Sequence, residues 1–364
     1  SGDMRNSNEV EMTLLDDTLK KIVPADSIIR SEAVNYINRL TMPQWALGRV
    51  LDLAVELAGI YRKVHFSTAR KKIILMAGDH GVVAEGVACQ PQSVTAQMVE
   101  NFVHGGAAIN ALAGAAGAEL LVADIGVAAD ISHLYPAVIN RKIAYGTRNM
   151  AQMPAMTEEE ARRAVETGIE IVHANDESTD LFAVGEMGIG NTTCSSAVLA
   201  VIAGIEPQLA VGRGAGLNPG LLGHKAQVIA RAIDKHKPDK DNPIEVLAKV
   251  GGFELGGIAG VILGAAACRK PVVIDGFIST AAALIAAKLA PESVDYMIMA
   301  HASAEPGHSA MLDFLGKKPL LDLDMRLGEG SGAAVAMPIL DSAAAIINNM
   351  ATFEQAKVTD EGVR

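Results

Sequence analysis

Basic clusters, paired cysteines, aromatic residues and long apolar runs are all scarce in this chain, and each scarcity removes a class of protein. The 364 residues carry a formal net charge of -11, and no local cluster of Lys and Arg offsets it. A binder of phosphate backbones is thereby excluded, and no nucleic acid is expected as a partner. The cysteines, Cys89, Cys194 and Cys268, stand far apart and outside any CxxC spacing. Neither a disulfide framework nor a zinc site is indicated, and a reducing, cytoplasmic compartment is expected. The longest apolar runs, such as residues 255–268, fall short of the roughly 20 residues that cross a bilayer, so no membrane is expected either. The start, SGDMRNSNEV, lacks the basic-then-apolar pattern of a signal peptide, and Ser1 to Asp3 read as an addition ahead of a natural Met4.

Aromatic residues make up 4% of the chain while apolar residues make up 50%, with 35 glycines. Small side chains in that proportion suit helices lying close on a sheet, which points to an α/β fold. Residues 10–62 read as amphipathic helices broken at Pro24 and Pro43. From residue 71 short apolar runs of strand length appear: KKIILMAGDHG, ELLVADIGV, DLFAVGEMGIGN, KPVVIDGF and DYMIMAHAS. Helical patterns separate them, over residues 93–113, 157–174, 192–203, 221–237, 253–268 and 279–289. The second of these opens on the capping box Thr157-Glu158-Glu159-Glu160. Alternation of this kind predicts a Rossmann-like parallel sheet flanked by helices, with its site at the strand ends. Residues 332–350 are apolar and helical again. Residues 1–65 plus 340–364 are expected to form a small helical domain, and 66–339 the catalytic one.

Several glycine-rich segments carry charged residues. GEMGIGNTT, residues 185–193, opens a helical pattern and reads either as a tight turn or as a cradle of backbone N–H groups for an anion. Glu186 lies inside it, which an anion cradle alone would not want. GRGAGLNPG, residues 212–220, places Arg213 in a second such loop with Lys225 one turn beyond, either a solvated loop or a phosphate site. AGDHGVVAEGV sets Asp79 and His80 between glycines. No second histidine stands three or four residues away, so a pair holding a loop is expected there rather than a metal cage. Asp275 in VVIDGF, and Ser303 and Glu305 in HASAEPGH, lie at strand ends, where each reads as a helix cap or a site group. Glu329 in MRLGEGSGAAVAMPIL stands among glycines before a helix, as a cap whose charge the helix field favours or as a base.

Taken in order, GDHGV, VTAQM, GEMGIGNTT, GRGAG, GGFELGGIAG, VIDGFISTAAAL, HASAEPGH and LGEGSGAA resemble the nicotinate-nucleotide:dimethylbenzimidazole phosphoribosyltransferases. That family makes the lower-ligand nucleotide of cobalamin. The resemblance implies transfer of the 5-phosphoribosyl group from nicotinate mononucleotide to a nitrogen of 5,6-dimethylbenzimidazole or a related base, giving α-ribazole 5'-phosphate and nicotinate. It implies a homodimer, and neither cofactor nor metal. Carried over motif by motif, Glu329 matches the general base and Glu186 a second active-site carboxylate. Gly188, Ile189, Gly190, Asn191 and Thr192 match the loop around the nucleotide. Gly214, Lys225 and Ser303 fall where the family contacts phosphate and ribose. Gln90 and Met98 fall on the lining of the base pocket, where some members carry Ser and Gln, and Ala215 replaces a frequent Thr. Asp79, His80 and Asp275 are expected in support.

Two other functions remain on the residues alone. A nicotinamide-dependent oxidoreductase fits the texture, but no G-x-G-x-x-G follows the first strand. A non-catalytic nucleotide-sensing module fits the loops and would have no need of Glu329.

Overall fold

The computed structural model describes residues 12–212 and 218–360. Among them, a parallel sheet is built from β1 (Lys71–Gly78), β2 (Ala118–Gly126), β3 (Ile139–Asn140), β4 (Leu181–Met187), β5 (Val272–Ile274) and β6 (Met297–Met299). The order across it is β3-β2-β1-β4-β5-β6. β1 begins on two half-buried lysines and is buried from Ile73 onward, and β4 is buried from Leu181 to Glu186. Continuous burial is what a strand covered on both faces requires, and it explains the unbroken apolar runs. β3, two residues long, was not among the expected strands.

The chain steps outward from β1 to β2 and β3, then returns to lay β4 on the other side of β1. Neighbouring connections therefore diverge between β1 and β4, and a crevice opens beyond the carboxyl ends of those strands.

Among the described residues, three α-helices precede the sheet: α1 (Leu14–Lys21), α2 (Ser27–Ile37) and α3 (Arg49–Tyr61). After β1 come α4 (Ser93–Val103) and α5 (Ala108–Ala116). A single helix over 93–113 was expected, and the left-handed Gly105, φ +76°, followed by Gly106 breaks it in two. α6 (Glu158–Asn175) keeps its predicted box: the Thr157 hydroxyl accepts the Glu160 N–H at 3.0 Å, and Glu160 Oε2 accepts the Thr157 N–H at 2.7 Å. Then follow α7 (Asn191–Ala203), the single turn α8 (Pro207–Ala210), α9 (Leu222–His236), α10 (Pro243–Val250), α11 (Phe253–Ala267) and α12 (Phe277–Leu289). The chain ends with α13 (His308–Leu315), α14 (Ser331–Asn349) and α15 (Phe353–Ala356).

The small-residue composition finds its use where α6 crosses α11. A Cβ on Gly168 would run into the Gly257 carbonyl, and one on Gly260 into the Val165 carbonyl. The two backbones thus touch directly, closer than any larger side chain allows.

α14 corrects the expectation about apolar runs, since by length and composition it is long enough to cross a membrane. It packs instead on α3, α5 and β4. Its Asp341 accepts the Thr68 hydroxyl at 2.7 Å and pairs with Lys71 at 3.0 Å.

Candidate active site

The crevice beyond β1 and β4 is a cleft of about 890 Å³ counting its open mouth. Its walls come from residues 87–90, from 186–192 after β4, from 275–279 after β5, and from the segments carrying His301, Ser303, Glu305 and 326–328.

Glu186 is the last charged residue of β4 and only 5% exposed. Its Oε2 accepts from the Asn191 side-chain amide, and its Oε1 accepts the backbone N–H of Glu329 at 3.4 Å. Burial first, then the charges of Asp275 and Glu254, push its carboxyl up to about 8.

Glu329 sits directly behind Gly328 of the cleft wall, in a left-handed conformation with φ +64°. Its carboxylate does not serve the helix it precedes. Oε2 accepts the N–H of Ile109, in the first turn of α5, at 3.4 Å. Burial raises its pKa, outweighing that N–H, so desolvation works against the charged form that a helix start favours. The start of α14 belongs to Asp275, which read from the sequence as a cap of the helix following it or a site group. Its oxygens accept the N–H groups of Gly330 at 3.0 Å, Gly332 at 2.7 Å and Ala333 at 3.2 Å. The glycines around Glu329 are spaces filled by neighbours: a Cβ on Gly328 would meet Glu186 Oε1, and one on Gly185 would lie 2.5 Å from the Glu329 carbonyl oxygen.

The 188–192 loop rests on the end of β1. A Cβ on Gly188 would strike the Gly78 carbonyl, and Gly190, φ +94°, turns the chain into α7. Ile189 donates its N–H to Thr95 Oγ1 at 3.0 Å. Thr192 and Asn191 open the helix. Lys225, 1% exposed, sits behind the loop and donates to the Thr192 hydroxyl at 2.7 Å and to the Gly212 carbonyl at 3.3 Å. Burial pulls its pKa down to about 8, with Glu305 opposing. Gly214, with Arg213 and Ala215, lies outside the described residues. Ser303 and Gln90 line the cleft, while Met98, on α4, is partly buried against the core and is not among the lining residues.

Asp79 and His80 do not act as one pair. Asp79 Oδ2 accepts the Ala128 N–H at 2.8 Å, tying β1 to the segment after β2, and burial raises its pKa. His80 turns the other way and places Nε2 2.6 Å from Glu254 Oε1, both residues being buried. Cys194 completes a compact group whose three donor atoms lie within 4.8 Å of one another. Burial alone would lower the His80 pKa, but the Cys194 sulfur and the Glu254 carboxylate carry it well above the usual histidine range. Glu254 was absent from the predicted site. Its signal was present, since it is the one charge in FELGGIAGVILGAAA, and a buried lone charge implies a partner.

Buried carboxylates beside a glycine loop, with a buried lysine behind it, set the chemistry against which relatives can be weighed. The family model described as phosphoribosyltransferase matches residues 22–358. A protein of Syntrophotalea carbinolica named nicotinate-nucleotide–dimethylbenzimidazole phosphoribosyltransferase is 53% identical over 350 residues, covering 96% of this chain and 99% of its own. The chain belongs to this phosphoribosyltransferase family. A second relative of the same name, from Desulfotalea psychrophila, is 50% identical over 351 residues, again across 96% of this chain and 99% of that one. The crystal structure of CobT from Thermus thermophilus superposes with a TM-score of 0.88 at 46% identity, covering 91% of this chain and 99% of that chain. The fold is therefore shared across nearly the whole length.

Proposed function

We propose that the chain transfers the 5-phosphoribosyl group of nicotinate mononucleotide to a nitrogen of 5,6-dimethylbenzimidazole or a related base. The products are α-ribazole 5'-phosphate and nicotinate, and the pathway is synthesis of the cobalamin lower ligand. The observation that carries this reading is the pair Glu186 and Glu329, two buried glutamates at the switch point of the sheet, the Glu186 carboxylate accepting the backbone N–H of Glu329.

The donor is a cation at its pyridinium nitrogen, so nicotinate departs neutral at that nitrogen and needs no acid. Charge develops instead on the ribosyl centre, which a carboxylate stabilises. Glu186, held in place by Asn191, is assigned that role. Burial holds its pKa up near 8, and the positive charge of a pyridinium beside it favours the ionised form. Glu329 is assigned the base that removes the proton from the acceptor nitrogen, and its raised pKa makes it a stronger acceptor near neutrality.

Gly188, Ile189, Gly190, Asn191 and Thr192 are assigned to the nucleotide, with Lys225, Ser303 and Gly214 on phosphate and ribose. Gln90 in the cleft wall is assigned to the base, with Met98, which lies outside that wall, carried over beside it by the resemblance alone; Asp79, His80 and Asp275 are assigned to support. The reaction as proposed uses no cofactor and no metal. A cytoplasmic homodimer, with 1–65 plus 340–364 as a small helical lobe, is part of the same proposal.

A nicotinamide-dependent oxidoreductase finds no support in the family match. The experiment that decides is incubation with nicotinate mononucleotide and a panel of benzimidazoles, purines and phenols, following nicotinate release. Release dependent on a base is expected; none with any base overturns the proposal.

A further inference from the structure

His301 follows β6 at the carboxyl edge of the sheet, lines the cleft and is 3% exposed. Its Nε2 faces Asp275 Oδ1 at 3.6 Å, longer than a hydrogen bond but close enough for the carboxylate to keep the ring's N–H on that side. The ring has little freedom to turn. A Cβ on Gly276 would lie 3.1 Å from Nε2, and one on Gly332 would run into Cδ2. On the far side of the ring, Nδ1 is buried and has no hydrogen-bond partner among the described residues.

The neighbouring His308 shows the contrast. Its Nδ1 accepts the Ser303 N–H at 2.9 Å, so its proton must be on Nε2, which lies 2.9 Å from Thr280 Oγ1. The Thr280 hydroxyl in turn donates to the Gly276 carbonyl at 2.7 Å. Every donor and acceptor there is used, and burial holds the His308 pKa down near 3, so it stays neutral. His308 is a closed structural link, whereas His301, a residue of the cleft wall, has one buried nitrogen left over. A buried polar atom without a partner is unfavourable, and a ligand that supplies the partner recovers that loss.

With its proton on the Asp275 side, Nδ1 offers a lone pair and asks for a donor. A phosphate oxygen at neutral pH offers none, while a sugar hydroxyl does. We infer that His301 Nδ1 accepts a hydrogen bond from a ribose hydroxyl of the donor nucleotide, making His301 a binding residue that orients the sugar for transfer. This inference rests on the phosphoribosyltransferase reading and adds a residue outside the assigned set.

The test compares kcat/KM for the wild type, His301→Leu and His301→Asn on nicotinate mononucleotide, its 2'-deoxy and 3'-deoxy analogues, and the riboside lacking phosphate, with Tm recorded for each protein. His301→Leu should lose about tenfold on the full nucleotide, as one hydrogen bond allows. It should match the wild type on the deoxy analogue that lacks the bonded hydroxyl. His301→Asn, which keeps a polar atom near the Nδ1 position, should recover part of the loss. An equal loss on every substrate makes the role structural and overturns the inference. A loss that vanishes only with the riboside reassigns the contact to phosphate and overturns it equally. Failure of the functional reading looks different, because the wild type itself then releases no nicotinate with any base.

Discussion

The backbone N–H of Glu329 donates to Oε1 of Glu186 at 3.4 Å, so the carboxylate of the β4 end helps fix the turn that leads into α14. The two groups are assigned different tasks, yet neither can shift without moving the other. Asp275 anchors the same turn from β5 through three backbone N–H groups. A misplacement of about 1 Å at such a site is known to weaken catalysis strongly, and the arrangement guards against it from two strands.

Glu329→Gln keeps the shape and the acceptor facing Ile109 but removes the base. Turnover is expected to fall about 10²- to 10⁴-fold, with the affinity for nicotinate mononucleotide almost unchanged. Steady-state kinetics beside calorimetric binding measures both. Turnover near the wild-type value removes Glu329 from the role of base.

Glu186 predicts a stability profile. The folded protein holds its proton more tightly than the unfolded chain, with a pKa of about 8 against 4.5. Its contribution is complete below about 4.5 and is lost as the pH rises towards 8, on the order of a few kcal/mol. The wild-type Tm should therefore fall between pH 5 and pH 8 by more than that of Glu186→Gln. Parallel curves would place the shift elsewhere.

The α6–α11 seam predicts opposite signs for two similar substitutions. In Gly168→Ala the new methyl meets the Gly257 carbonyl, and overpacking against backbone should destabilise by about 1–3 kcal/mol. In Gly114→Ala, within α5, nothing lies within 4 Å of the new carbon. Helix propensity should then stabilise by up to about 1 kcal/mol. Denaturant unfolding of both variants decides, and equal effects would contradict the close approach.

Turnover should survive EDTA. Loss restored by one divalent ion would point to the group of His80, Cys194 and Glu254, and single substitutions there would locate the ion.

Much of this architecture was legible because it follows from local pattern. Unbroken apolar runs gave β1, β2 and β4, and the Thr157 box marked the start of α6 within a residue. What stayed hidden depends on partners distant in the chain. The Glu329 carboxylate serves α5, 220 positions away, and nothing in LGEGSG announces that. His80 meets Glu254 across 174 positions, and Asp275 serves α14 rather than α12. His301 stood in a quoted motif, but its singularity is an unused nitrogen, which only the surroundings reveal. The break between α4 and α5 was missed because the apolar pattern continues on both sides of Gly105.

The left-handed backbone of Glu329 carries an evolutionary consequence. A non-glycine residue there holds a conformation that costs about 1–2 kcal/mol, and its side chain is a carboxylate taken out of water. Glycine at this position would relieve both, so a protein with no use for the assigned base would gain stability by losing it. Lineages that obtain the product from their surroundings would be expected to lose the residue early while keeping the fold. With Glu329 as the base, its loss from a sequence would then mark a relic rather than a working copy.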